Sequence, residues 1–269
     1  MNRLNTKLAQ LREKNRKALV TYIVNGDPVS EVTVPALHAM VEAGADILEL
    51  GVPFSDPMAE GPVIALGHER ALAAGTSLRS TFEVVKKFRE TDSETPIVLM
   101  GYANPVERMG YKTFAQLASE AGVDGLLTVD LPPEEAVELN GELKAVEIEN
   151  IFLLAPTTTP NRMQDIVNLA SGFIYYVSLK GVTGAGHLDV TSVKDKLAEI
   201  RNLTETPVCV GFGIKDAESA KAVAANADGA VVGSVLVDKM GSLQGESVET
   251  ICQALAELVA PIRQGLDEL

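Results

Sequence analysis

The feature that most constrains this chain is an alternation that runs along almost its whole length. Eight short apolar runs recur: ALVTYIV (18–24), ADILELGV (45–52), PIVLMGY (96–102), VDGLLTV (123–129), NIFLLA (150–155), FIYYVSL (173–179), PVCVGFG (207–213) and DGAVVGSV (228–235). The segments between them carry helical patterns such as VPALHAMVEAG, TFEVVKKFRE, TFAQLASEAG and DAESAKAVAANA. Strands that alternate with helices pair in parallel, because a parallel neighbour is reached only through a crossover. Eight such units in 269 residues predict an α/β fold, a (β/α)8 TIM barrel, whose usual length is about 250 residues. An open doubly wound sheet is the rival, but it has fewer strands and shows its glycine fingerprint after the first of them. Here NGDP follows strand one and the glycines cluster late. No stretch rich in Pro, Gly or Ser divides the chain, so residues 1–269 read as a single barrel domain.

Two internal echoes support the repeat. AGADILEL (43–50), AGVDGLLTV (121–129) and ANADGAVVG (225–233) each place a helix end and an Asp before a strand. Gly44, Gly122 and Asn226 are expected in the left-handed position that closes a helix. ETPIVLMGY and ETPVCVGFG each open a strand with Pro, at the position where Pro is tolerated. Ahead of the barrel, Leu4, Leu8 and Leu11 fall on one face of a predicted helix. That segment has no apolar core of the secretory kind, which predicts a cytoplasmic protein.

Charge and composition narrow the function. The chain holds 37 Asp and Glu against 23 Lys and Arg, a net charge of −14, which argues against a nucleic-acid partner. It leaves room for a small anionic ligand held by backbone amides. With 46% hydrophobic residues the chain has enough to bury a core, so it does not read as disordered. No apolar run is long enough to span a bilayer. Cys209, inside a strand pattern, reads as a small buried hydrophobe, and two cysteines make no disulfide framework.

Strand parity singles out one carboxylate. In Asp46-Ile47-Leu48-Glu49-Leu50-Gly51, Leu48 and Leu50 suit the helix layer, so Glu49 points into the barrel near its C-terminal mouth, where barrel active sites lie. Burial there raises a carboxyl toward the range useful for general acid–base work. The next loop, Pro53-Phe54-Ser55-Asp56-Pro57-Met58-Ala59-Glu60-Gly61-Pro62, offers a second acid, and spacing alone does not choose between Asp56 and Glu60. Asp130, before Pro132 and Pro133 at an expected first helical turn, reads as a cap.

Three late loops are rich in glycine: Ser178-Leu179-Lys180-Gly181-Val182-Thr183-Gly184-Ala185-Gly186-His187, then Gly211-Phe212-Gly213-Ile214, then Gly233-Ser234 at a predicted helix start. Glycines let backbone N–H groups close on an oxyanion, and barrels commonly bind phosphate in the loops after strands seven and eight. His38 and His68 read as surface or packing residues on helices, and no metal-binding spacing is present, so no metal is expected.

ADILELGVPFSDPMAEGPVI, YYVSLKGVTGAG, VGFGI and VVGSVLV, in this order and with NGDP and GYANP between strands, resemble the tryptophan synthase alpha subunit over nearly the whole chain. The resemblance implies a lyase that cleaves indole-3-glycerol phosphate by a retro-aldol reaction. It implies that Glu49 protonates indole C3 and takes the hydroxyl proton. The second acid, usually Asp in that family, aligns with Glu60, one methylene longer and roughly 1 Å farther in reach, enough to cost on the order of 100-fold if uncorrected. By the same resemblance Tyr22, Met100, Leu127, Leu153, Tyr175, Thr183 and Phe212 line an indole slot. Gly184, Gly213, Gly233 and Ser234 hold the phosphate, and loops 53–60 and 179–190 close as lids. No cofactor is expected in this chain. The implied partner is a beta subunit carrying pyridoxal phosphate, in an α2β2 tetramer, touched through loop 53–60 and around Asn104, Pro105 and Arg108. Alternatives are a phosphosugar isomerase or epimerase, a Schiff-base aldolase using Lys180, and a catalytically weak activator of a beta subunit.

Overall fold

In the computed structural model, which describes residues 2–177, 190–211 and 213–269, eight parallel strands close into a barrel in sequence order. They are β1 (Ala18–Val24), β2 (Ile47–Gly51), β3 (Ile97–Gly101), β4 (Gly125–Thr128), β5 (Glu149–Leu154), β6 (Ile174–Val177), β7 (Val208–Gly211) and β8 (Gly229–Val232), with β8 pairing back onto β1. Helix α1 (Arg3–Glu13) precedes the barrel. The crossovers carry α2 (Thr33–Glu42), α3 (Pro62–Ala73) and α4 (Leu78–Arg89), α5 (Ala103–Met109) and α6 (Tyr111–Ala121), α7 (Val137–Ala145), α8 (Pro160–Leu169), α9 (Val190–Arg201) and α10 (Ala217–Ala224), with α11 (Ser234–Ser242) and α12 (Val248–Asp267) after the last strand.

The alternation of side chains separates two cores. Leu19, Ile23, Leu48, Leu50, Ile97, Leu99 and their equivalents face the helices. Ala18, Val20, Ile47, Val98, Leu127, Ile151, Phe173, Cys209 and Val231 fill the barrel interior, and Leu4, Leu8 and Leu11 of α1 close it from below. The leucine face of α1 therefore forms the floor of the barrel. Asn2 caps the helix, accepting from the Asn5 N–H, while its amide donates to the carbonyls of Asp124 and Glu147.

The Asp echoes have a tertiary cause. Asp46, just before β2, accepts the Leu19 N–H of β1 at 2.9 Å. Asp124, before β4, accepts the Ile97 N–H of β3 at 2.9 Å, and Asp228, before β8, accepts the Val208 N–H of β7 at 2.8 Å. The Ser171 hydroxyl, before β6, accepts the Asn150 N–H of β5 at 2.9 Å. The three aspartates are held in turn by arginines: Arg263 and Arg16 on Asp46, Arg3 and Arg89 on Asp124, Arg201 on Asp228. Gly44 and Gly122 take positive φ as expected, but Asn226 does not. The chain leaves α10 instead through an αR residue, Ala225, and a tight turn in which the Ala227 N–H bonds the Ala224 carbonyl.

Candidate active site

Glu49 sits in β2 with Tyr22 of β1 and Val98 of β3 as register partners, so all three side chains enter the barrel. It is 1% exposed, and neither carboxylate oxygen has a hydrogen-bond partner among the described residues. Burial first, and the charge of Glu60 second, push its carboxyl up to about 8. A lone carboxyl this deep favours its protonated form, because no donor or cation among the described residues offsets the desolvation of the charged form.

Glu60 ends the loop after β2, one residue before Gly61 and Pro62 open α3. Burial holds its carboxyl at about 7. Asp56 is exposed, and among the described residues its carboxylate accepts only from its neighbour Ser55. Of the two acids that spacing leaves open, Glu60 is the one whose charge raises Glu49, while Asp56 is exposed. The loop is pinned at both ends. The Phe54 N–H donates to His68 Nδ1 of α3 at 3.0 Å, and the Ala59 N–H donates to the Tyr102 hydroxyl after β3 at 3.1 Å. Phe54 also stacks on Tyr102 with ring centroids 4.9 Å apart.

The expected slot residues in described positions converge on the same space. Met100 packs against Tyr22, Val24 and the inner core, and Leu127, Leu153 and Tyr175 belong to the inner set. Two tyrosine rings lean across glycines of the next strand. A Cβ on Gly51 would stand 2.4 Å from the Tyr22 hydroxyl, and one on Gly211 would stand 2.3 Å from the Tyr175 hydroxyl. Both phenols are raised by burial and by the nearby glutamates. Tyr22 is not a purely apolar wall: its hydroxyl lies 3.4 Å from His68 Nε2.

At the expected phosphate end, Gly233 precedes the first residue of α11, Ser234, whose exposed position leaves the helix N-terminus facing the mouth. The first N–H groups of a helix have no internal acceptors and favour an anion. Gly213 adopts φ +49 with open space where a side chain would be, so backbone conformation and not crowding calls for glycine. A Cβ on Gly233 would meet Tyr22 Cδ1 at 3.2 Å, which puts this end beside the carboxylate end. Thr183, Gly184 and Phe212, and with them Lys180, His187 and the 179–190 loop up to the start of α9, lie outside the described residues.

Two local expectations change. Asp130 does cap a helix, but the helix belongs to the neighbouring unit: its carboxylate accepts the Ala103 N–H that opens α5, at 2.7 Å. Pro132 and Pro133 lie in a turn ahead of α7, not in a first helical turn. Of the two readings open for His68, surface or packing, the structure bears out packing: it is 1% exposed, and it also accepts the Phe54 N–H of the loop after β2. Its spacing from Ala71 on the buried face of α3 was the available signal. NGDP proves to be a structural turn, with buried Asp27 gripped by Arg70. At the opposite face two clefts of about 450 Å3 each flank α1. The arginines and lysine of the first, Arg12, Arg16, Lys17 and Arg201, are each already engaged by an acceptor.

Comparison with known proteins agrees with this geometry. The family model described as tryptophan synthase alpha chain matches residues 8–266. The chain is 56% identical to the tryptophan synthase alpha chain of Nitrosococcus oceani over 267 residues, 99% of this chain and 98% of that one. It is 55% identical to that of Acinetobacter baumannii over 270 aligned positions, 100% of each. Among solved structures it resembles tryptophan synthase subunit alpha from Legionella pneumophila (TM-score 0.92, 43% identity, 100% of both chains). It also resembles the aminoacrylate-bound form of tryptophan synthase from M. tuberculosis (TM-score 0.86, 33% identity, 99% and 100% covered).

Proposed function

Because the chain belongs to the tryptophan synthase alpha chain family, and is therefore a lyase that cleaves indole-3-glycerol phosphate to indole and glyceraldehyde 3-phosphate, we propose that Glu49 and Glu60 divide the proton chemistry of that cleavage between them. The observation that carries this reading is the pair itself: a buried carboxyl and a half-buried one at the mouth, held at about 8 and about 7. Near neutral pH the first is mostly protonated and the second is partly ionised, which is the division an acid and a charge stabiliser require.

Glu49 delivers its proton to indole C3. The positive charge this places on the ring is shared with the nitrogen, whose N–H the ionised Glu60 accepts. The Glu49 carboxylate then takes the proton of the side-chain hydroxyl. The O–H electron pair becomes the aldehyde carbonyl, the bond to C3 breaks, and its electron pair returns to the ring. One proton enters and one leaves, so Glu49 ends as it began. Met100, Leu127, Leu153, Tyr175 and Tyr22 bound the indole, with Thr183 and Phe212 assigned to the same wall. Gly213, Gly233 and Ser234, with Gly184, bind the phosphate. On a chain of net charge −14, that grip rests on local amides and the α11 dipole.

The partner we assign is a beta subunit carrying pyridoxal phosphate, in an α2β2 tetramer. Met58, 85% exposed on loop 53–60, and exposed Asn104 and Arg108 one turn apart on α5 support that face as the contact. No helix among the described residues is long and apolar enough to cross a membrane, and we place the protein in the cytoplasm. The test is indole release from indole-3-glycerol phosphate, with and without a beta subunit. Glu49→Gln abolishes it, and near-normal indole production by that variant overturns the assignment.

A further inference from the structure

We propose that His68 is a positioning residue: it holds the Tyr22 oxygen as an acceptor and so turns the phenolic proton into the barrel mouth, toward the Glu60 carboxylate. The proposal deepens the assignment of Glu60 and Glu49 above and rests on it.

The argument is a count of donors. The backbone N–H of Phe54 points at His68 Nδ1 at 3.0 Å, so Nδ1 accepts and carries no proton. The ring is buried, and desolvation holds its pKa down to about 4, so near neutral pH it is uncharged and has one proton. That proton sits on Nε2. Nε2 faces the Tyr22 hydroxyl at 3.4 Å, a long contact, and can only donate. The phenol oxygen therefore accepts from His68, and its own proton must leave in another direction.

The ring's surroundings name the destination. Tyr22 lies across Gly51 and against Gly233, with the hydroxyl over β2. The titratable groups around it are Glu60 from the loop after β2, Glu49 from β2, Tyr102 from the end of β3, Tyr175 from β6, and His68 from α3. The Tyr102 oxygen already accepts the Ala59 N–H. Both Glu49 oxygens lack a partner among the described residues, and Glu60 is the foremost charge acting on the phenol. Neither carboxylate bonds Tyr22 among the described residues, but they are the strong acceptors among these groups, and Glu60 acts on the phenol most. The same amide that seats the loop on α3 thus fixes the tautomer that aims Tyr22 at the loop's own glutamate.

A donor on a carboxylate favours its ionised form. Tyr22→Phe is expected to move the acid limb of kcat/KM for indole release to higher pH, by up to roughly 0.5, less than a full hydrogen bond would give. His68→Asn separates holding from aiming. Its shorter side chain keeps an acceptor for the Phe54 N–H but does not reach Tyr22. It is expected to shift the limb in the same direction and to add nothing in the Tyr22→Phe background. An unmoved limb in Tyr22→Phe, or a wild-type profile in His68→Asn, overturns the proposal. If Tyr22→Phe does not fold, His68→Asn decides alone. Nitrogen-15 spectra of His68 near pH 7 give an answer that needs no activity. They should show a neutral ring protonated at Nε2, and a proton on Nδ1 overturns the proposal even if the wild-type chain releases no indole, an outcome that would instead strike the lyase assignment.

Discussion

Glu49→Gln should make the protein more stable as it makes it inactive, and the gain should grow with pH. The folded carboxyl is held at about 8, against 4.5 for an ordinary Glu. A group whose folded value is raised keeps its full contribution below the unfolded value and loses it as pH climbs through the folded one. Between pH 5 and pH 8 the wild-type chain should therefore lose roughly 3–4 kcal/mol from this one group. Glutamine has the same shape and no titration, so Glu49→Gln does not incur that loss. In a chain of this length 1 kcal/mol corresponds to about 2 °C in melting temperature, so the gap between variant and wild type should widen by about 6–8 °C across that range. Thermal melts of both proteins at half-unit pH steps make the measurement. Glu60 titrates nearby in both, so the difference between the two curves is the quantity to read. Parallel curves from pH 5 to pH 8 would refute the claim that Glu49 is buried without a partner.

Glu60→Asp should release indole at a rate equal to or above wild type if the loop has not adjusted to the longer side chain, and full activity in Glu60→Ala would remove Glu60 from the reaction. Gly51→Ala places a methyl 2.4 Å from the Tyr22 hydroxyl, so the ring must swing away; kcat/KM for indole release should fall at least tenfold, with the melting temperature falling less than for a core cavity. Asp46→Ala takes from buried Arg263 one of its two carboxylates, Asp267 remaining at 2.7 Å, and leaves the Leu19 N–H without its acceptor, which should cost roughly 1–3 kcal/mol in urea unfolding while sparing kcat. Gly213→Ala forces a side chain onto φ +49, a strain of about 1–2 kcal/mol, and should raise KM for indole-3-glycerol phosphate more than it lowers kcat.

What could be read in the sequence was whatever periodicity governs. Glu49 was legible because Leu48 and Leu50 fix the parity of β2, and the floor helix because its leucines repeat at helical spacing. The choice between Asp56 and Glu60 was not legible from spacing, since an irregular loop has no period to say which side chain turns inward. Asp130 was read correctly as a cap and assigned to the wrong helix, because its acceptor role is filled by an amide 27 residues away. The place of His68 at the site escaped because its two bonds reach a loop amide and a strand tyrosine, neither of which its own helix predicts. The Asp echoes were visible as text, yet their purpose depends on which strands become neighbours.

That purpose has a consequence for cutting the chain. At the N-terminal rim, the side chain just before β2, β4, β6 and β8 fastens the start of β1, β3, β5 and β7 respectively. The closed ring is thereby divided into four two-strand blocks, each sewn by its own polar stitch. New chain termini placed between blocks, in the β2–β3, β4–β5 or β6–β7 connections, leave every stitch within one continuous segment. Termini placed inside a block make the same stitch a bond between fragments. Paired fragments split at the first kind of site should reassemble more readily than those split at the second.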